Sequence, residues 1–354
     1  MKWIQRQRSG SGSQNIQGEI IHVGLTYGEA KDLFMDLFEQ NFYRLSSVAH
    51  ATAKERVDEL TENYLHSLQA SAPESIENIS DPGVQAAILD VQSGYARSGD
   101  QDLGQILIDL LVERTKSTTR DIYQLSLTEA LGVASKLSAR HFSILTTLFL
   151  VRETKIHCHT HTDFYKRQAR LLAPLLDSLD FSPSDLRYLE AVGCIGLLPL
   201  PRTIQHLWKK VSPGFFAKGF GVGELPDEIS QKYFQPPYST RCLRDKDKLQ
   251  IDASDSDALK VKIENDDRFT GSEKERVEQI LTNLLENAAY LLSDDEISLE
   301  AQEFDPRLPQ IMTKWESTNL SLSNLTVVGI ALAHANLRRI AGEVFPEDVR
   351  IWIS

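Results

Sequence analysis

The chain has 354 residues, 41% hydrophobic and 25% charged, enough to bury a core and too apolar to be disordered throughout. Fifty acids against 38 bases leave a net charge of −12, which argues against broad, non-specific binding to nucleic-acid backbones, a mode that needs positive surface. No apolar run approaches the ~18–20 residues of a membrane helix. Cys158, Cys194 and Cys242 are too widely spaced for a disulfide framework, and no apolar stretch follows Lys2, Arg6 and Arg8 to make a signal peptide, so a cytoplasmic protein is expected.

Residues 1–24 differ from the rest. Ser9-Gly10-Ser11-Gly12-Ser13 reads as a flexible stretch. The run from Asn15 to Gly24, with the β-branched Ile16, Ile20 and Ile21, predicts a short strand. A lone strand leaves its ladder unpaired. None lies nearby in sequence, so a second copy of the chain is the expected partner. Thr26 with Glu29 forms a Thr-x-x-Glu capping box that opens an amphipathic helix over about residues 26–70. Its apolar stripe, from Leu33, Phe34, Leu37, Phe38, Phe42 and Leu45 to Leu68, steps by three and four. As one rod it would span about 65 Å and bundle with its own copy through Phe34, Phe38, Phe42 and Leu45. The alternative is two helices with a bend near Ser46-Ser47.

Pro73 ends this segment, and Asp81-Pro82 supplies an N-cap followed by proline at the first helical position. Helices are expected to about Arg97, then over 101–116, 118–135 and 138–152, together a bundle with short loops. Two more follow at 162–180 and 183–192. Pro199, Pro201, Pro213-Gly214-Phe215-Phe216 and Gly219-Phe220-Gly221 then mark an irregular stretch anchored by aromatics. Asp252, Asp255, Asp257, Glu264, Asp266 and Asp267 make 235–270 a solvated segment and a possible boundary. Ser272 with Glu275 predicts a second capping box. Helices follow from there, near 294–302 and 306–316, and from Leu325-Thr326-Val327-Val328-Gly329 to a stop at Gly342. Alternation over 348–353 predicts a last strand. The fold class is mainly α: a long N-terminal helix preceded by a short oligomerising β-strand, a helical bundle, and a second helical domain ending in a β-strand. The divisions fall at 1–24, 25–71, 72–152, 153–250 and 251–354.

The sharpest chemical signal is Lys155-Ile156-His157-Cys158-His159-Thr160-His161-Thr162-Asp163. On a strand, His157, His159 and His161 would share a face and, with Asp163, could hold a divalent transition metal whose bound water attacks a substrate. The run lacks His-Glu-x-x-His or paired-cysteine spacing, so an exposed histidine-rich loop is the competing reading. Cys194, between Gly193 and Ile195, reads as a buried small hydrophobe more readily than as a nucleophile. The Gly219–Gly223 run lacks the Lys-Ser/Thr of a phosphate loop and reads as a turn. Arg338 and Arg339 would face DNA if the C-terminal part were a winged helix, a reading the net acidity opposes.

Three stretches together resemble a bacterial family catalogued under locus tags. They are Gln14-Asn15-Ile16-Gln17-Gly18 leading into Gly24-Leu25-Thr26-Tyr27, Tyr95 to Thr115, and Pro213-Gly214-Phe215-Phe216-Ala217-Lys218-Gly219-Phe220 with Leu325 to Ala331 and Ile351-Trp352-Ile353. Members resemble components of mobile antiphage defence islands, and no catalytic residues come with the resemblance. It implies a non-enzymatic, homo-oligomeric sensor or adaptor that recruits a second defence protein of the same operon, with no cofactor. The alternative is a metal-dependent nuclease or hydrolase built on the histidine run.

Overall fold

The computed structural model describes residues 25–42, 47–178, 180–221, 238–342 and 345–353. The architecture is mainly helical. Ile16, Ile20, Ile21 and Leu45 lie outside the described residues. The Thr26 box forms as expected: the Glu29 carboxylate accepts from the Thr26 amide at 2.9 Å and hydroxyl at 2.7 Å. It opens α1 (Tyr27–Phe42), which is separated from α2 (Ser47–Ser71). The single rod is therefore corrected to a hairpin. Lys31 pairs with Glu62 at 3.1 Å and Lys54 with Glu39 at 3.1 Å, a register that only antiparallel helices allow. Folding back covers the apolar stripe from within. Phe34 and Phe38 are fully buried, Phe34 lies 5.8 Å from the Tyr64 ring, and the Phe34 carbonyl accepts from Gln92 Nε2 at 2.8 Å. The expectation that these two residues form an intersubunit face is corrected accordingly.

Next come α3 (Pro82–Ser98), α4 (Gln101–Lys116), α5 (Ile122–Ala134) and α6 (Ala139–Arg152). Asp81, Asp100 and Asp121 each accept a first-turn amide, which supplies the orphan donors of α3, α4 and α5. Gly99 closes α3 with φ +61°, and Arg56 Nη1 donates to the last carbonyls, Ala96 at 2.8 Å and Arg97 at 3.2 Å. In α6 every residue from Phe142 to Val151 is buried, the mark of a central helix.

Its neighbour comes from the far end of the chain. The helices α7 (His161–Leu172), α8 (Pro183–Ala191), α9 (Ile204–Val211), α10 (Ser256–Glu264), α11 (Ser272–Leu285), α12 (Asp294–Phe304) and α13 (Arg307–Ser317) intervene before α14 (Val327–Ala341). That last helix packs on α4, α5 and α6, burying Gly329 to Leu337. Asn336 Nδ2 donates to Thr146 Oγ1 at 2.7 Å inside this contact, so a buried amide and hydroxyl satisfy each other. One apolar core thus runs from Ala30 to Ile353.

Two short antiparallel pairs were not foreseen. Strand β1 (Ile195–Leu197) pairs with β4 (Ser323–Leu325), Ile195 opposite Leu325, and β2 (Ser239–Arg241) pairs with β3 (Leu249–Ile251). The expected solvated segment at 235–270 instead carries β2, β3 and α10. Tyr238, Ile251, Leu259, Ile263 and Phe269 form a smaller core with Val277, Leu281 and Leu285 of α11. Its acids are structural: Asp255 caps α10 through the Ala258 amide at 2.9 Å, and Asp266 holds Arg268 at 2.7 Å.

Two further expectations are corrected. Ser272 is not an N-cap: Gly271, at φ +46°, takes that place, and no side chain caps α11. Residues 348–353 are no strand. Val349–Ile351 is a 3-10 turn opened by Asp348, whose carboxylate accepts the Arg350 amide at 2.8 Å. Trp352 Nε1 donates to the Glu153 carbonyl at 2.7 Å and its ring lies 4.9 Å from Phe149. The alternation that suggested a strand comes from a turn laid on the core, with Val349 and Ile353 in and Ile351 out.

Candidate functional site

The histidine run links α6 to α7. It is not a strand, and Thr160 caps α7 by accepting the Asp163 amide at 3.1 Å. The helix start therefore separates residues that a strand would have aligned. His157 and His159 are exposed in the linker, whereas His161 opens α7 and turns inward. Among the described residues no three His, Cys, Asp or Glu side chains stand where they could hold one metal ion.

The two faces of α7 have separate work. Inward, Phe164, Tyr165, Gln168, Leu171 and Leu172 join the core. Tyr165 Oη donates to Glu300 at 2.9 Å, and Arg244 Nη2 reaches the same carboxylate oxygen at 2.7 Å. Burial lowers the His161 pKa from its ordinary value, and the Arg244 guanidinium adds to this while Glu300 opposes it. Its Nδ1 is buried with no partner among the described residues, and the lowered pKa favours the neutral imidazole beside this ion pair.

Outward, Asp163, Lys166, Arg167 and Arg170 line a pocket of about 390 Å³ with Lys155, Ile156, His157, Leu171, Phe345 and Glu347. Positions 163, 166, 167 and 170 share a face because the helix repeats every 3.6 residues. Arg167 Nε donates to both Asp163 oxygens, at 3.1 and 3.2 Å. Lys155 holds Asp255 at 2.9 Å and Asp257 at 3.1 Å, and these bonds outweigh its burial and raise its pKa. Lys166 and Arg170 have no hydrogen-bond or ion-pair partner among the described residues. The opposite wall is fixed: Phe345 is buried and stacks 6.0 Å from Trp352, and the Glu347 carbonyl is hydrogen-bonded to His334 Nε2 at 2.8 Å.

Of the expected metal set, then, His157 and Asp163 line this pocket, while His159 is not among its lining residues and His161 faces the interior. The cations were missed. Lys166-Arg167-Gln168-Ala169-Arg170 puts three of them in five residues with no acid between, an unusual window in so acidic a chain and the signal that would have found them. Phe345 and Glu347 carried no such signal.

A second concavity follows α4. Gln105, Asp109 and Arg338 line two adjoining hollows of about 530 and 560 Å³ between α4, α14 and α2. Arg338 Nη1 lies 3.1 Å from Asp109 and 3.9 Å from Glu113, Lys116 lies 2.8 Å from Glu113, and Arg339 lies 2.7 Å from Asp102. The arginines that a winged-helix reading would turn toward DNA are thus bound to acids of α4. Burial pushes the Asp109 carboxyl up to about 6, with Arg338 opposing and Glu113 adding to the shift. Cys194 is fully buried and its thiol is pushed up to about 12 by burial, far from a thiolate at neutral pH.

A mainly helical chain with a cationic pocket and a salt-bridged groove is the class these observations define. The model of an uncharacterised "-like" family, named by locus tag, matches residues 24–353, and the chain belongs to that family. No curated protein and no solved structure matches it. No helix among the described residues is long and apolar enough to cross a membrane.

Proposed function

We propose that the chain is a binding protein, a sensor or adaptor with no bond-breaking chemistry of its own, which takes an anionic signal at the α7 pocket. The observation that carries this is the pair Lys166 and Arg170, two cations with no ion-pair partner among the described residues, in a concavity of about 390 Å³ on a chain of net charge −12. Cations left without partners on an acidic protein are groups available to a ligand. The setting proposed is bacterial antiphage defence, with a protein of the same operon as the recruited partner. The test is phage plating on cells carrying the native operon. Lys166→Ala/Arg170→Ala loses protection while the purified protein keeps its melting temperature. Undiminished protection by that variant contradicts the proposal.

Self-assembly belongs to the same proposal through Ile16, Ile20 and Ile21. Light scattering on full-length Ile16→Asp/Ile20→Asp should show a lower mass than the parent, and an unchanged mass removes assembly through this segment. A second reading, metal-dependent hydrolysis, draws support from His157 and Asp163 lining one pocket. Stoichiometric zinc or manganese in purified protein, lost in His157→Ala, would favour it over a binding role.

A further inference from the structure

We infer that the α7 pocket binds an organic phosphate of nucleotide size, its phosphate on Lys166, Arg167 and Arg170 and its less polar part against Ile156, Leu171 and Phe345. The inference rests on the binding role proposed above and names its ligand.

The first argument is charge. Lys155, Lys166, Arg167 and Arg170 face Asp163 and Glu347, a surplus of two positive charges on the lining. Lys155 is already engaged by Asp255 and Asp257 outside the lining, and Arg167 by Asp163, which leaves Lys166 and Arg170 against Glu347, one net positive charge. A phosphate monoester, with ~1.5 to 2 negative charges at neutral pH and three acceptor oxygens, offers Lys166 and Arg170 a shared partner.

The second argument is geometry. Lys166 and Arg170 are one helical turn apart, so their Cβ atoms lie about 5–6 Å from each other. That spacing lets a point-charge ammonium and a planar guanidinium fork close on different oxygens of one phosphate or of two linked ones. Arg167 flanks them and is pre-oriented by its bidentate contact with Asp163.

The third argument is size and wall chemistry. A volume of about 390 Å³ equals roughly a dozen waters at ~30 Å³ each, more than a single phosphate group fills. It falls in the range of small-molecule sites, ~300–1,000 Å³. Part of the remaining wall is apolar: Leu171 is buried, and Phe345 belongs to a ring cluster with Phe149, His334 and Trp352. An inorganic anion would leave that wall unused.

Calorimetry on the full-length protein tests this, with AMP, ATP, inorganic phosphate, phosphatidylserine-containing vesicles and polyglutamate as probes. The expected result is that AMP or ATP binds at least tenfold more tightly than inorganic phosphate. Lys166→Ala/Arg170→Ala should weaken it at least tenfold, and Ile156→Ser should weaken the nucleotide but leave inorganic phosphate unaltered. Lys246→Ala/Lys260→Ala, which removes two exposed cations elsewhere, should change nothing, and circular dichroism reports whether each variant is folded. Equal affinity for nucleotide and inorganic phosphate overturns the organic ligand. Vesicles or polyglutamate bound through Lys166 and Arg170, with nucleotides silent, overturns it too but leaves the proposed binding role standing. Binding of no probe, or binding indifferent to both cations, removes the inference and the role together.

Discussion

Gly329 sits at the third position of α14, where its amide meets the capping Thr326 hydroxyl at 3.1 Å. A Cβ there would stand 2.0 Å from the Cys194 carbonyl oxygen, so β1 and the start of α14 approach at a distance that only glycine allows. Gly214 is alike, with 1.9 Å to the Ala253 carbonyl oxygen. Gly329→Ala should cost about 1–3 kcal/mol or more, since backbone must move. Gly132→Ala, in α5 with nothing within 4 Å, should gain about 0.5–1 kcal/mol. Urea midpoints check both; equal midpoints for the two variants would contradict the contact. Asp109 makes a pH prediction. Its folded pKa of about 6 lies above the ordinary 3.8, so the native state holds its proton more tightly than the unfolded chain. That contribution to stability is present below pH ~4 and lost as pH rises to about 6. With 26% of the side chain exposed, about 1–2 kcal/mol is expected. Asp109→Asn should therefore gain on the parent by that amount between pH 4 and 7, read from melting temperatures; a constant difference across that range would refute the shift.

At the scale of elements, the α1–α2 hairpin decides what the phenylalanines do. Phe34→Ala opens a cavity beside Tyr64 and should cost about 3–5 kcal/mol without altering the mass in light scattering. A lower mass with unchanged stability would restore an intersubunit role. This hairpin also shows what was legible in advance. Features encoded within a few residues were for the most part: the Thr26–Glu29 box, the Asp81-Pro82 start and the Gly342 stop formed as read, while the Ser272–Glu275 box did not. Features that depend on distant partners were not. The pairing of Ile195 with Leu325 and the burial of α14 against α6 join segments more than a hundred residues apart, with no trace in local periodicity. The histidine alternation misled because Thr160 caps a helix in its midst, and the 348–353 alternation because a turn on a core buries every second residue as a strand does. Arg56 gives a further test of local design. Arg56→Ala strips the Ala96 and Arg97 carbonyls of a charged donor and should cost about 1–2 kcal/mol in urea unfolding; no loss would show that water serves α3 equally well.

For the whole molecule, the governing contrast is between a net charge of −12 and the α7 concavity lined by Lys155, Lys166, Arg167 and Arg170. Acids elsewhere are spent on caps and ion pairs: Asp81, Asp100, Asp121 and Asp255 at helix starts, Asp102, Asp109 and Glu113 on the two arginines of α14. The pocket is sequence-local on one side, the α6–α7 linker and α7, and on the other is closed by Phe345 and Glu347 beyond α14. Only a fold that returns its C-terminus to the centre could build it, so only the cationic half was open to sequence reasoning. Lysine footprinting of the full-length protein asks most directly whether this concavity is where the molecule meets its ligand. Purified protein is acetylated with and without ATP, and each lysine is read by mass spectrometry. The account predicts that ATP protects Lys166 severalfold while Lys246 and Lys260 are unaffected; Lys166 labelled equally with and without ATP would contradict it.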